Sequence, residues 1–498
     1  MNPIVLIVGA GPVGLTMAIE LTRYGVPVRI IDKSDHRTDK SKALVIWSRT
    51  LELIDRMGCT ERFTSAGLKV AAANITAGRE QIAHVTFDKL ATPHPYALLI
   101  PQSETERLLE EHLESRGVRV ERAVELTSFA ADADHVTATL RHEGNRDESV
   151  VSQWLIGCDG AHSTVRHQLG LPFEGETLPS DWILADVHLT GRDDKWDQIN
   201  ISWHAEGVLL IFPISGGRYR VIADVGDGHG PASAVEPSLQ QVQALLDRRG
   251  PGGLVASSPV WLAAFRINER KVADYRAGRT FLAGDAAHIH SPAGGQGMNT
   301  GMQDAFNLAW KLALVHHGSA VPEPLLGSYS TERSAVGRQV LADAGRLTAL
   351  ALIRGGIKQS IRNHVASLIF GFAPVRAAMA DKLSELSIGY PHSPLTRPGP
   401  HIQGGPVAGQ RAPVSDTNEP IGAGPEPMFV LRGRAGAEAD ALIARYPRLV
   451  EKRPHPPFTE KGIWVVRPDG YIATVAAADD WAAIDGYLRS ISSAAPRH

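Results

Sequence analysis

The chain opens with PIVLIVGAGPVGLTMAIELTRYGVPVRIID, residues 3–32, and this run decides the fold class. Residues 3–9 are continuously apolar, as a strand buried on both faces of a parallel sheet must be. Residues 12–24 carry Val13, Met17, Ile19 and Leu21 at helical spacing, and Val26–Ile31 is a second buried strand. The run is therefore a βαβ unit of about thirty residues. Between its first strand and its helix lies Gly9-Ala10-Gly11-Pro12-Val13-Gly14, a GxGxxG pattern. Gly9 makes the tight turn, Gly11 lets a pyrophosphate approach the backbone, and Gly14 lets helix and strand pack closely. The helix start offers free N–H groups and partial positive charge to phosphates. Asp32, with Lys33 beside it, ends the second strand, where a carboxylate accepts the hydroxyls of an adenosine ribose. The competing reading is a glycine turn in an unrelated α/β fold, and the flanking strand, helix and acid weigh against it. The pattern by itself does not separate NAD from FAD.

A second stretch makes that separation: GDAAHIHSPAGGQGMNTGMQDAFNLAWKL, Gly284 to Leu312. Thr280 to Gly284 reads as a strand, and Asp285 stands at its carboxyl end, placed to accept hydroxyls of a ribityl chain. Pro292 to Gly297 turns the chain sharply, and a helix starts near Met298 with its first N–H groups unpaired. A flavin ring gains negative charge along its pyrimidine edge on reduction. The N–H groups of Gly297, Met298 and Asn299 would stabilise that edge, whereas nicotinamide needs none of these features. The competing reading is a structural strand–turn–helix.

Composition bounds the class. The 498 residues are too many for one core. A 43% apolar and 21% charged chain of net charge −3 is an ordinary globular one without an electrostatic footprint for nucleic acid. No apolar run is long enough for a membrane span. The N-terminus lacks the basic leader of a signal peptide, so a cytoplasmic enzyme is expected. Two cysteines, Cys59 and Cys158, make neither a disulfide framework nor a CxxC pair, and no histidines show metal-ligand spacing.

The three motifs together resemble those of the FAD-dependent aromatic hydroxylases, single-component flavoprotein monooxygenases of the para-hydroxybenzoate hydroxylase type. These are Gly9–Gly14 with Asp32, the Cys158-to-Arg166 segment CDGAHSTVR, and Gly284-Asp285 through Asn299. The resemblance covers roughly residues 1–390. It implies FAD, NADPH or NADH as transient electron donor, O2, and hydroxylation of a phenolic or polyketide-type molecule through a flavin C4a-hydroperoxide. A Baeyer–Villiger or epoxidising monooxygenase is the alternative on the same scaffold, and a flavin-binding protein without turnover is a further one. The resemblance places the Asp159 segment near the pyrophosphate and the path of the nicotinamide donor. Arg166 would supply charge for phosphates, with a purely structural pairing to Asp159 an equal alternative. Gln102 matches a family glutamine on the flavin chain, with a cap at its helix start as the alternative. Arg49 matches a family arginine, and Lys42 stands where the family often has arginine. Pro292 and Gly295 would border the oxygen site. His288 is a tempting base, although a positional role weighs more.

The resemblance also implies the architecture: a Rossmann-like FAD-binding domain at 1–175 and 266–390, ending in a helical extension. An inserted antiparallel β-sheet substrate domain spans 176–265, where Trp203, His204, Phe212 and Pro213 are candidate substrate contacts. A Pro/Gly-rich linker at 391–413 would lead to a C-terminal domain at 414–498. GQRAP (409–413) and RPDGY (467–471) give that domain a thioredoxin-like resemblance, with no cysteine for dithiol chemistry. The apolar stretch LIFGFAPV, residues 368–375, is read as core packing or a homodimer contact ahead of a membrane or other partner.

Overall fold

A computed structural model describes residues 3–191, 197–227, 236–414 and 420–493. Val5–Val8, Val28–Ile31, Trp154–Gly157 and Thr280–Leu282 lie parallel in one sheet, and the short Arg276–Ala277 strand closes one edge antiparallel. The order across the sheet is Arg276–Ala277, Thr280–Leu282, Trp154–Gly157, Val5–Val8, Val28–Ile31. Val5–Val8 and Trp154–Gly157 are buried throughout, which accounts for their unbroken apolar runs. The Pro12–Arg23 helix packs against the Gly297–His316 helix. The chain therefore leaves four parallel strands at one sheet edge through Gly9–Gly14, Asp32, Cys158-Asp159 and Gly284-Asp285. Open α/β sheets bind ligands at the carboxyl ends of their strands.

A second sheet has eight strands. Its order is His288–Ile289, Val255–Lys271, Glu174–Thr190, Arg218–Asp227, Gly207–Ile214, Ile199–His204, Ala72–Ala77, Glu80–Thr86. The expected middle region at 176–265 is thus too narrow for this sheet, which also recruits 72–86 and runs on to Lys271. A strand's own alternation shows that it is half-buried and not which sheet it joins, so the 72–86 hairpin carried no such signal. One face of the sheet is covered by the Leu239–Arg249 helix, where Val242, Leu245 and Leu246 meet Ile183, Leu209 and Ile211. The opposite face looks toward the Pro292–Gly295 turn.

The helical extension comprises Pro322–Ala351, Gly356–Gly371 and Ala373–Leu383. Its breaks fall at Gly355, in the left-handed region at φ 96°, and beside Pro374. The LIFGFAPV stretch is divided: Leu368 is 59% and Phe372 66% exposed, while Phe370 packs against the core. Among the described residues no helix is long and apolar enough to cross a membrane.

The C-terminal unit is α/β. Val430–Arg432, Gly462–Val466 and Ile472–Ala477 form an antiparallel sheet, flanked by the Ala437–Arg445 and Trp481–Ile491 helices. The 391–413 segment lies along this unit rather than hanging free. The N–H groups of Arg397, Gly409 and Ala412 donate to the carbonyls of Ala473, Ile472 and Gly470 at 2.9, 2.8 and 2.9 Å. Trp464 anchors it further, donating from Nε1 to the Pro406 carbonyl at 2.9 Å.

Candidate cofactor and substrate site

Two bare helix starts face the same sheet edge. Gly11 precedes the Pro12–Arg23 helix with no side-chain cap, Pro12 occupies its first turn, and that turn carries no acid. A Cβ on Gly14 would lie 1.9 Å from the Gly9 carbonyl oxygen, whereas one on Gly11 would meet nothing within 4 Å. The helix therefore presses on the strand while Gly11 leaves an open approach to the backbone. Asp32 fixes the turn: its Oδ2 accepts the Ala10 N–H at 2.7 Å and its Oδ1 the Ser34 N–H at 2.8 Å. Lys33 beside it is exposed.

The second helix start is tied to the first through Val13. A Cβ on Gly284 would lie 2.7 Å from Val13 Cγ2, and one on Gly301 would lie 2.8 Å from the same atom. Asp285, next to Gly284, is exposed. Crowding by the surrounding protein raises its pKa, opposed by the nearby His288 and Lys42. Asp159 is partly buried, and burial raises its pKa as well. Its Oδ2 accepts the Val165 N–H at 3.2 Å, and its buried Oδ1 has no partner among the described residues. Among the described residues no acceptor is found for the N–H groups of Gly297, Met298 and Asn299, the first three of the Gly297–His316 helix. Unpaired amides at both helix starts, a free acid at a strand end and an orphaned carboxylate oxygen fit an extended dinucleotide laid along this edge.

The Pro292–Gly295 turn is braced from behind. Gly295 N–H donates to the Pro292 carbonyl at 2.9 Å, and Trp47 Nε1 donates to the Gly294 carbonyl at 2.8 Å. The Asn299 side chain is buried and holds the turn: it accepts from Trp47 N–H at 2.8 Å and donates to the Val45 and Gly295 carbonyls at 2.9 Å each. Only its backbone N–H is left for a ligand. His290 lies against Gly297; burial and then His288 push its pKa down to about 4, so its ring is neutral.

Three expected residues take other places. His288, a candidate base, is 1% exposed and bonds through Nε2 to Asp304 Oδ2 at 2.9 Å, so its proton is held by that acid rather than offered to the cleft. Arg49 is buried and directs its guanidinium to Glu52 and the Asp469 carbonyl, not to the cleft. Arg166 is buried over the Phe173 ring and donates to the carbonyls of Ala161 and Ala286, tying the two acid-bearing loops together rather than meeting phosphates. Gln102 accepts the Ala43 N–H at 3.1 Å and donates to Glu106 at 2.8 Å. The Lys42 side chain is exposed, and Arg220 Nη1 holds its carbonyl at 3.0 Å.

The sequence reading missed Asp304. It accepts the Gly284 N–H at 2.9 Å, the His288 ring, and Arg333 Nε at 2.6 Å, so it locks the Gly284 turn onto the following helix. Despite burial, Arg333 and His288 hold its carboxyl below the ordinary range. Its place three residues after Gly301, on one helical face, was the available signal.

Across the Pro292–Gly295 turn from this edge lies a cavity of about 1100 Å³, its open mouth included. Trp203 and Phe212 line it from the eight-stranded sheet, and Thr348, Phe370 and Met379 line it from the helical extension. His204 and Pro213 do not line it. Each is the next residue along its strand and points to the opposite face, so alternation divides the four expected contacts in half. Among the described residues no group of His, Cys, Asp and Glu side chains could hold a metal ion.

The family model for the FAD binding domain matches residues 3–344. The chain is 40% identical to 6-methylpretetramide 4-monooxygenase of Streptomyces rimosus, over 79% of this chain and 71% of that one. It is 34% identical to rifampicin monooxygenase of Streptomyces venezuelae, over 78% and 79% of the two chains. The solved anhydrotetracycline hydroxylase OxyS of Streptomyces rimosus superposes with a TM-score of 0.78 at 28% identity, covering both chains in full. The fold and its strand-end cleft are thus those of an FAD-binding flavoprotein. The chain belongs to the FAD-dependent aromatic hydroxylase family.

Proposed function

We infer that the protein is an NAD(P)H- and O2-dependent monooxygenase that hydroxylates an aromatic, polyketide-type small molecule. The observation that carries this is the shared wall: the Pro292–Gly295 turn borders the apolar cavity and leads directly into the Gly297–Asn299 amides. One oxygen atom of O2 enters the product and the other leaves as water, with the nicotinamide donor supplying two electrons. Bound FAD supplies the redox chemistry between donor and oxygen. The chain's residues do the rest. The N–H groups of Gly11, Val13 and Gly14 would be presented to the pyrophosphate, and Asp32 and Asp285 would take sugar-type hydroxyls. The Gly297, Met298 and Asn299 N–H groups would stabilise negative charge that develops on a bound flavin. The cavity walls exclude water from the oxygen-transfer region. Pro292 and Gly295 would lie between cofactor and substrate, and His288 acts through Asp304 on the Gly284 turn.

The finer parts of this reading have their own support. Asp159, Lys42 and Gln102 border the cleft and are assigned to cofactor binding, while Lys33 contributes only charge near Asp32. The C-terminal α/β unit is read as thioredoxin-like and structural, since it contains no cysteine. The exposed Ile361, Val365, Leu368, Ile369 and Phe372 support a homodimer. The test is to supply phenolic and fused-ring compounds with NADPH or NADH and isotopically labelled O2. Label in an aromatic hydroxyl supports the reading. Label in a lactone or epoxide selects the alternative chemistry, and donor consumption yielding only hydrogen peroxide with every compound contradicts hydroxylation of this class.

A further inference from the structure

The Pro292–Gly295 turn is fastened from two sides. From the FAD-binding domain, Trp47 and Asn299 hold its Gly294 and Gly295 carbonyls. On the cavity side, Ser291, the residue before Pro292, meets Thr348 of the Pro322–Ala351 helix, Oγ to Oγ1 at 2.7 Å. Both residues are buried and both border the cavity. Each hydroxyl has one proton to give, and that fixes the direction of the contact. Thr348 Oγ1 donates to the Ala344 carbonyl at 2.9 Å, so Ser291 donates to Thr348. Ser291 Oγ in turn accepts the Ala293 N–H at 3.2 Å. The chain of bonds runs from an amide inside the turn, through two hydroxyls, to a carbonyl of the helix.

The helical end of this chain is firmly held. Arg362 is buried and donates from Nη1 to the carbonyls of Leu350, Ala351 and Ile353 at 3.3, 3.2 and 3.2 Å, answering the carbonyls at that helix end. Leu347 and Leu350, which flank Thr348 in sequence, line the cavity. The far end of the turn is tied to the same helical extension: Gln296 Nε2 donates to the Lys382 carbonyl at 2.9 Å, and the neighbouring Leu383 also lines the cavity. The turn therefore takes its position from the cavity's helical wall as well as from the FAD-binding domain.

We propose that Thr348 is a positioning residue for the oxygen reaction: through Ser291 it pins the Pro292–Gly295 turn to the cavity's helical wall, and the pinned turn keeps water from the oxygen side of bound flavin. This rests on the functional reading above and adds to it the group that sets the turn. Reduced flavin has an unproductive outlet with O2. Two electrons and two protons pass from the reduced flavin to oxygen, leaving oxidised flavin and hydrogen peroxide. Exclusion of water from the oxygen side slows that outlet.

The test uses FAD-loaded, full-length protein and three substitutions. Thr348→Val keeps the branched shape and loses the hydroxyl, Thr348→Ser keeps the hydroxyl, and Ser291→Ala breaks the same bond from the other side. The first readout is amide hydrogen exchange across residues 291–297, which needs no turnover. Exchange there should be about fivefold faster in Thr348→Val and in Ser291→Ala than in wild type. The second readout is hydrogen peroxide formation when photoreduced protein meets O2 with no aromatic compound present. It should also be about fivefold faster in those two variants and within about twofold of wild type in Thr348→Ser. Ser291→Ala combined with Thr348→Val should match either alone, because both break one chain of bonds. Flavin content shows which variants fold, and the two hydroxyl deletions each test the pair independently. Unchanged exchange in both, additive effects in the combined variant, Thr348→Ser as fast as Thr348→Val, or faster exchange with unchanged peroxide formation overturns the proposal. Failure of the wild type to hydroxylate any compound, with both readouts as expected, would instead overturn the functional reading alone.

Discussion

Arg49 Nη2 donates to the backbone carbonyl of Asp469 at 2.8 Å, across 420 positions of sequence. The same guanidinium bonds to Glu52 at 2.8 Å and lies over the Tyr471 ring at 4.9 Å, while Arg411 takes the other oxygen of Glu52 at 2.8 Å. Residues of the GQRAP and RPDGY segments thus clamp the C-terminal unit onto the FAD-binding domain. Arg467 adds buried pairs with Glu332 and Asp469.

Arg49→Met should therefore act on stability. Breaking a buried ion pair costs roughly 3 kcal/mol, and the released unit should become protease-sensitive. FAD affinity should stay within roughly threefold, because nothing the side chain touches borders the cleft. Thermal denaturation, limited proteolysis and a flavin titration separate the outcomes; weakened FAD binding at unchanged stability would return Arg49 to the cofactor site.

Gly301→Ala reverses an ordinary expectation. Alanine inside a helix normally stabilises by about 0.5–1 kcal/mol over glycine. Here the added Cβ would stand 2.8 Å from Val13 Cγ2 and 3.1 Å from Gly284 Cα, wedging the two halves of the cleft apart. The variant should melt lower and retain less FAD, and adding Val13→Ala should recover part of both.

Glu385 supplies a pH test. It is fully buried, accepting from Thr300 at 2.9 Å and from Gln303. Burial raises its pKa from an ordinary 4.5 to about 8, against the pull of Thr300, Arg333 and Gln303. Between those values the folded chain binds the extra proton, so stability falls as pH rises through that window, by at most about 1.4 kcal/mol per pH unit. The contribution is complete below the lower value and lost above the upper one. Glu385→Gln should flatten this slope in denaturation curves from acidic to mildly alkaline pH; an identical slope in the variant would place the titrating group elsewhere.

Strand parity makes a paired prediction. Phe212→Ala removes a ring from the cavity wall and should weaken anthraquinone binding roughly tenfold. His204→Ala, on the opposite face, should change it less than about twofold.

The fold was legible in the sequence where one segment carries its own instruction. The 3–32 run states strand, turn, helix and strand through its apolar period and glycines, and Gly355 and Pro374 state where helices break. What depends on partners distant in sequence was hidden. The 72–86 hairpin gives its alternation but not its sheet, and the composition of 391–413 suggests freedom while its amides are answered by 470–473. In the site, backbone features were readable because glycines and helix starts are local. Side-chain roles were not: His288, Arg49 and Asn299 have cofactor-like chemistry, yet each is turned inward by a partner 16, 420 and 254 residues away.

The account depends most on Asp285 and the two helix starts gripping one extended flavin dinucleotide. Titration of apoprotein with FAD, followed by flavin absorbance and fluorescence, tests it directly. Wild type should bind one FAD per chain, and Asp285→Ala should bind on the order of 10–100-fold more weakly at an unchanged melting temperature of the apoprotein. Equal FAD affinity in the two proteins, or no FAD binding by the wild type, would contradict the central claim.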